Sequence, residues 1–82
     1  MTKVHDLKCW PDIFEVMNKK IKTFDLRKND RDFKINDILV LHEYDPNEKK
    51  YTGNVISRKV IYILYGGRFG LPKDYCIMQL GD

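Results

Sequence analysis

The chain has 82 residues, 43% of them hydrophobic and 33% charged, and its 15 bases against 12 acids give a net charge of +3. That length gives room for one small domain over residues 1–82 and excludes a second, while the composition excludes a disordered tail. Because no apolar run approaches the roughly 20 residues of a membrane span and no signal-peptide pattern follows Lys3, we expect a cytoplasmic monomer with no membrane partner.

The first residues predict a strand followed by a helix. Residues 4–9 alternate loosely between polar and apolar, which indicates a strand. Pro11 suits the first turn of a helix, where its missing N–H has no partner to lose. An amphipathic helix over residues 11–20 is therefore expected, with an apolar face formed by Ile13, Phe14 and Met17.

Residues 22–28 predict a second strand, because polar and apolar side chains alternate there cleanly. Phe24 and Leu26 fall on one face of this strand. The opposite face carries Thr23, Asp25 and Arg27.

The middle of the chain predicts a turn and a long hairpin. Residues 29–32 form a polar turn, and a second turn is expected at Asn36, since asparagine tolerates the left-handed conformation. The apolar run 38–41 indicates a strand buried on nearly both faces, and residues 38–63 read as one long hairpin.

The last third predicts two further strands. Residues 55–65 alternate, with Val60, Tyr62 and Leu64 expected on one side. A glycine-rich loop over residues 66–70 does not match a phosphate-binding P-loop, and we expect its Phe69 to plug the mouth of the fold. Residues 75–80 form the final strand.

This element order predicts an α+β fold that is mostly β. About five strands and one helix cannot cover both faces of an open sheet in so short a chain. Curling the sheet removes its edges and creates a core. We therefore expect a small five-to-six-stranded β-barrel, with the helix after the first strand closing one end.

The two cysteines and two histidines indicate no metal site. Cys9 and Cys76 are expected to be free thiols, with a disulfide between the first and last strands as the alternative. None of these residues shows the close spacing of a zinc site, so we expect no metal and no cofactor. His5 and Cys9 lie too far apart along a strand for direct thiol activation.

The clearest functional signal is a basic segment. Residues 19–34 hold seven bases and three acids, a balance of +4. A phosphate-binding surface needs such a concentration of charge, although a solvated lysine-rich surface is the simpler explanation. Within it, the Asp25–Arg27 pair is either an ion pair on the barrel exterior or part of a line of donors at the mouth between helix and barrel.

These residues carry a family resemblance. The stretch Lys20–Arg27 is similar to the G-x-K-x-x-E-x-R signature of ASCH domains, which are relatives of the PUA RNA-binding barrel. The sequences of residues 7–46, 51–53 and 66–72 resemble the DUF3850 proteins, a bacterial and phage branch of that superfamily.

The resemblance carries over by position. Lys22 and Arg27 occupy the lysine and arginine of the signature, and Asp25 occupies its glutamate with one methylene fewer. Lys20 stands where glycine is expected, so we expect the helix-ending turn at Asn18 or Lys19 instead. ASCH relatives are thought to bind RNA or nucleotides beside this motif, and some hydrolyse nucleosides or RNA using a lysine, a small hydroxyl residue and an acid.

Three functional classes remain open. The first is an RNA- or nucleotide-binding module that uses Lys22, Asp25, Arg27, Lys28 and Arg31. Trp10 would stack on a base, as would Phe33 or Tyr75 beside the polar loops. His5 would hydrogen-bond the ligand or serve the structure, and Lys8 is a possible rim charge. The alternative is a small hydrolase, a nucleoside amidohydrolase or a ribonuclease, with the catalytic candidates Lys22, Thr23 and Asp25. A protein-interaction module would leave no trace in the sequence.

Overall fold

The computed structural model describes residues 2–82 and contains one sheet and one helix. In chain order the elements are β1 (Val4–Cys9), α1 (Pro11–Asn18), β2 (Phe24–Lys28), β3 (Ile38–Asp45), β4 (Lys50–Tyr65) and β5 (Tyr75–Gly81). The five strands form a curled half-barrel with the order β1-β3-β4-β5-β2. The predicted α+β, mostly β fold with one helix after the first strand is thus confirmed, and β1 and β2 are the free edges.

The core lies on the concave face of the sheet. β1 runs parallel to β3, and the other neighbouring pairs are antiparallel. Alternation holds in β1 and β5, where every second side chain is buried. α1 packs against β3 and buries Phe14 and Met17. Ile13 of the predicted apolar face is 38% exposed instead.

β4 departs from the predicted alternation because it contains a β-bulge. Val60 pairs with Leu80 and Tyr62 with Gln79, which leaves Ile61 as the extra residue. The alternation of buried and exposed side chains therefore shifts by one residue at the bulge, and the buried residues of β4 are Val60 and Ile63. β4 also begins at Lys50 rather than residue 55, since Lys50 and Tyr51 pair with Asp45 and Tyr44 of β3.

The loop from residue 29 to residue 37 contributes Phe33, a large side chain, to the core. Phe33 is fully buried there, with its ring centroid 4.7 Å from that of His5. The expectation that Phe69 closes the mouth is wrong, because Phe69 is 80% exposed, and Phe33 is unavailable as a stacking ring. The turn predicted at Asn36 is confirmed by its φ of 79°.

Candidate functional site

A cleft opens along the free side of the half-barrel, where side chains from β1 and from residues 22–31 line two adjoining cavities. The larger, here called the basic cavity, has a volume of about 680 Å³, and its charged lining residues are Asp6, Lys8, Arg27, Lys28, Asp30 and Arg31. The smaller, here called the apolar cavity, has a volume of about 420 Å³. Lys8 and Arg27 line both cavities, so the two form one continuous cleft.

The polar face of β2 points into the half-barrel. Asp25 and Arg27 pair across the ladder with Met78 and Cys76, which are both fully buried. Phe24 and Leu26, on the other face, are 45% and 51% exposed. The placement of the Asp25–Arg27 pair on the barrel exterior is therefore wrong, and the pair lies at the cleft.

Asp25 holds the Arg27 guanidinium in one orientation. Arg27 donates from Nε to Oδ1 and from Nη2 to Oδ2, each at 2.9 Å. Asp25 is only 6% exposed, whereas a quarter of the Arg27 side chain remains accessible. A bidentate pair of this kind has a defined geometry, so Arg27 meets the cleft with the rest of its donors in a fixed position.

Lys28 at the end of β2 and Arg31 in the following loop line the basic cavity. Lys28 lies 3.9 Å from Asp74, at the limit of an ion pair, and Arg31 is exposed. Asp74 also fixes the chain at this point, because its carbonyl oxygen accepts a hydrogen bond from the Asn29 N–H at 2.8 Å. Lys28 and Arg31 thus present exposed charges beside a backbone that is hydrogen-bonded to Asp74.

Lys22 borders one cavity with Asp25 and another with Thr23. Lys22 lines the apolar cavity with Asp25, but its Nζ donates to the Phe24 carbonyl oxygen at 2.6 Å and lies 4.5 Å from the Phe24 ring centroid. Thr23 precedes β2 and lines a third cavity of about 150 Å³, which shares Lys22 and Met17 with the apolar cavity, and its Oγ1 accepts from Gln79 Nε2 at 3.4 Å. The Thr23 carbonyl oxygen accepts from the Leu80 N–H at 2.8 Å, and the Thr23 side chain is exposed whereas Asp25 is buried.

Trp10 lies where the sequence predicts, on the rim of the apolar cavity. It is 58% exposed and immediately precedes α1. The same cavity is lined by apolar side chains from α1, β2 and β3, namely Ile13, Met17, Phe24, Leu26 and Leu41. The cleft therefore has an exposed indole at its apolar end and bases at the other.

His5 lies away from the residues with which the sequence grouped it. It is buried, and its Nε2 donates to Asp37 Oδ2 at 2.8 Å. The same carboxylate accepts hydrogen bonds from the backbone N–H groups of Lys3 and Lys34. His5 thus joins β1 to the turn before β3, and neither cavity of the cleft includes it.

Sequence reasoning missed two aromatic residues of the basic cavity. His42 and Tyr51 line it from β3 and β4, with His42 Nε2 donating to Asp6 Oδ1 at 2.9 Å and the two rings 6.0 Å apart. Only the register brings them there, because His42 pairs with Lys8 across the parallel ladder. Lys8, which the sequence suggested as a rim charge, lines the same cavity, and its Nζ lies 4.2 Å from the Tyr44 ring centroid.

Neither cysteine thiol has the lowered pKa of a reactive cysteine. Both cysteines are free and buried. Burial raises the pKa of Cys9, and the nearby Asp25 charge raises it further against the opposing effect of Lys22 and Arg27. Burial and Asp25 likewise raise the pKa of Cys76. Because the thiolate is the nucleophile, neither residue is activated.

Residues 2–82 contain no group of three or more His, Cys, Asp or Glu side chains arranged to hold a metal ion. No helix among them is long and apolar enough to cross a membrane.

Comparison with known proteins identifies one family. The sequence profile of a domain of unknown function, DUF3850, matches residues 4–80, which include every strand that lines the cleft. No curated protein gives a significant match.

Proposed function

The chain belongs to the DUF3850 family, and we propose that it binds RNA or a nucleotide-like ligand in the cleft between β1 and residues 22–31. The observation that carries the proposal is the Arg27 guanidinium, held by the buried Asp25 and facing a cavity lined by three further bases.

The remaining donors of Arg27 suit a phosphate. A guanidinium has five N–H donors, and Asp25 takes one from Nε and one from Nη2. Three donors are left, and they include the Nη1–Nη2 edge that binds phosphate oxygens in a bidentate manner. Since Asp25 already fixes the plane of the group, little side-chain entropy is lost when the anion binds.

The neighbouring bases suit a polyanion rather than a single buried charge. Four bases and two acids line the basic cavity, and Lys28 and Arg31 are exposed on its rim. Exposed bases that neutralise phosphates release counterions, which makes binding depend on salt. The aromatic rings of Trp10 and Tyr51 on the same cleft offer stacking surfaces for unpaired bases.

We propose further that the domain is of the ASCH type within the PUA-like superfamily, as the bacterial and phage DUF3850 resemblance implies. The spacing of Lys22, Asp25 and Arg27 on and before β2 supports this assignment, as does the single helix between the first two strands. The binding residues we propose are Lys22, Asp25, Arg27, Lys28, Arg31 and Trp10.

We rank hydrolysis second to binding. It requires a base, a hydroxyl and an acid around one substrate, yet Thr23 lines a different cavity from Asp25. Lys22 Nζ, which would act as the base, donates to the Phe24 carbonyl oxygen at 2.6 Å. Incubation of the protein with acylated nucleosides and with RNA, followed by mass spectrometry, is expected to return the substrates unchanged.

A salt-dependent RNA titration tests the proposal. We expect a labelled single-stranded RNA to bind in an anisotropy assay, and Lys28→Ala and Arg31→Ala each to weaken binding and to reduce the slope of log affinity against log salt by about 1. Both side chains are exposed, so these variants leave the fold intact. Arg27→Ala is a poorer test, because it leaves the Asp25 charge buried without its partner.

Lys59→Ala and Lys73→Ala are the matched controls, since each removes an exposed lysine that lines neither cavity of the cleft. Both should leave the affinity and the salt slope unchanged. No RNA binding at about 50 mM salt, or equal losses in the control and cleft variants, would overturn the proposal.

A further inference from the structure

We infer that the two cavities divide one nucleoside monophosphate unit between them, with the base in the apolar cavity and the phosphate in the basic cavity, and that Asp25 selects bases with an exocyclic amino group. This inference rests on the proposed function and adds the identity of the unit that the cleft recognises.

The apolar cavity suits the faces of a nucleobase. Trp10, Phe24 and Leu26 border it and are all substantially exposed. Apolar side chains left accessible around a concave space offer a flat ring the contacts that they lack with each other. A volume of about 420 Å³ leaves room for a base between the indole and the aliphatic wall.

The region where the two cavities meet suits the sugar that links the base to the phosphate. Lys8 and Arg27 line both spaces, so a ligand that extends from one to the other passes between two cations. A sugar-linked phosphate at the same place would meet Arg27 first and then Lys28 and Arg31 in the basic cavity.

Asp25 is the acceptor at the apolar end of this path. Asp25 lines the apolar cavity and is 6% exposed as a residue, and each of its carboxylate oxygens already accepts one hydrogen bond from Arg27. An ionised carboxylate has about four acceptor sites and no donor, so two acceptor sites remain for a donor group of the ligand. Adenine, cytosine and guanine each offer an exocyclic amino group there.

Uracil lacks that group. Its one N–H lies between two carbonyl oxygens, which would face the Asp25 carboxylate and repel it. A site built to accept a hydrogen bond discriminates against an analogue that cannot donate one, because the buried acceptor loses its partner. The arrangement therefore predicts poorer binding of UMP than of CMP, which has a ring of the same size.

The single tryptophan of the chain provides the test, because Trp10 lies on the rim of the apolar cavity. We expect AMP, CMP and GMP to quench Trp10 fluorescence in a saturable manner, CMP to bind about tenfold more tightly than UMP, and ribose 5-phosphate to leave the indole signal unchanged. Asp25→Asn should bring the CMP and UMP affinities together. Arg31→Ala should weaken both equally and keep their ratio.

The ratio of the CMP and UMP affinities separates the two effects of the Asp25 substitution. A general effect on Arg27 weakens both nucleotides alike, whereas loss of base recognition changes the ratio. Equal quenching by CMP and UMP in the natural protein overturns the inference without needing any variant. Binding of labelled RNA without quenching by any nucleotide also overturns it, but leaves the proposed function standing. Absence of binding by both RNA and nucleotides overturns the proposed function itself. Saturation by CMP together with competition against labelled RNA would show that a free nucleotide and a nucleotide within RNA share the site.

Discussion

The carboxylate of Asp37 joins three segments that are distant in sequence. Its Oδ1 accepts from the Lys3 N–H at 3.2 Å, and its Oδ2 accepts from His5 Nε2 at 2.8 Å and from the Lys34 N–H at 3.0 Å. Burial acts to raise the pKa of Asp37, but these hydrogen bonds outweigh it and lower the pKa below its ordinary value of 3.8. The ionised carboxylate therefore stabilises the folded state.

We expect Asp37→Asn to lower the free energy of unfolding by about 2 kcal/mol at pH 7, because hydrogen bonds to a charged acceptor are lost. A folded-state pKa below 3.8 means that the stabilisation is complete above pH 3.8 and is lost as the pH falls through the folded-state pKa. Urea unfolding of both proteins across this range should show their difference shrinking in acid. Asp30→Asn, at an exposed carboxyl, is the control. A difference that stays constant down to pH 2 would contradict this assignment.

At the scale of the element, α1 ends in a turn made by an unfavourable residue. The Ile21 N–H donates to the Val16 carbonyl oxygen and the Lys20 N–H to that of Met17, which is the Schellman pattern. That pattern places Lys20 in the left-handed region, with φ of 60°. The turn expected at Asn18 or Lys19 thus lies at Lys20 itself, where the ASCH signature has glycine, and the helix ends at Asn18 rather than residue 20.

Lys20→Gly should therefore stabilise the protein by about 1 kcal/mol, because glycine adopts this conformation without a steric penalty. The substitution also removes the exposed Lys20–Asp82 ion pair. Lys20→Ala removes the same ion pair but keeps Cβ, so it isolates the backbone effect. Thermal unfolding of the two variants should show the glycine protein melting higher, and equal melting temperatures would rule out strain at Lys20.

At the scale of the whole molecule, the open side of the half-barrel creates the cleft and leaves the core closed. Five strands curl far enough for β1, β3, β4 and β5 to bury a common set of side chains, while the two edge strands stay unpaired along the open side. Cys9 from β1 and Cys76 from β5 both belong to this core. Cys76 is fully buried, and Cys9 is 6% exposed where it borders the apolar cavity, so exposure of Cys76 requires the sheet itself to open.

We expect both thiols to react with a disulfide reagent at least about 100-fold more slowly in the folded protein than in guanidinium, because burial raises their pKa values and restricts access. Absorbance at neutral pH should show no fast phase and two equivalents after unfolding. Cys9→Ser, with one thiol left, assigns the phases. A full equivalent released at once by the folded protein would contradict the closed core.

Local patterns determined the elements of this protein. Alternation predicted β1 and β5, Pro11 and the apolar spacing predicted α1, and Asn36 predicted a left-handed turn, because each signal lies within a few residues of the structure that it produces. The alternation of Thr23, Asp25 and Arg27 likewise predicted that one face of the second strand carries polar groups.

Only the tertiary structure decided which of these faces is buried and what meets it. Alternation divides β2 into two faces but does not say which face is buried. Asp25 and Arg27 lie on the inner face because they pair with the buried Met78 and Cys76 of β5. The parallel pairing of β1 with β3 brings His42 to the cleft. The bulge at Ile61 changes which side chains of β4 face the core. These outcomes depend on contacts between residues far apart in the chain, which the periodicity of a single segment does not encode.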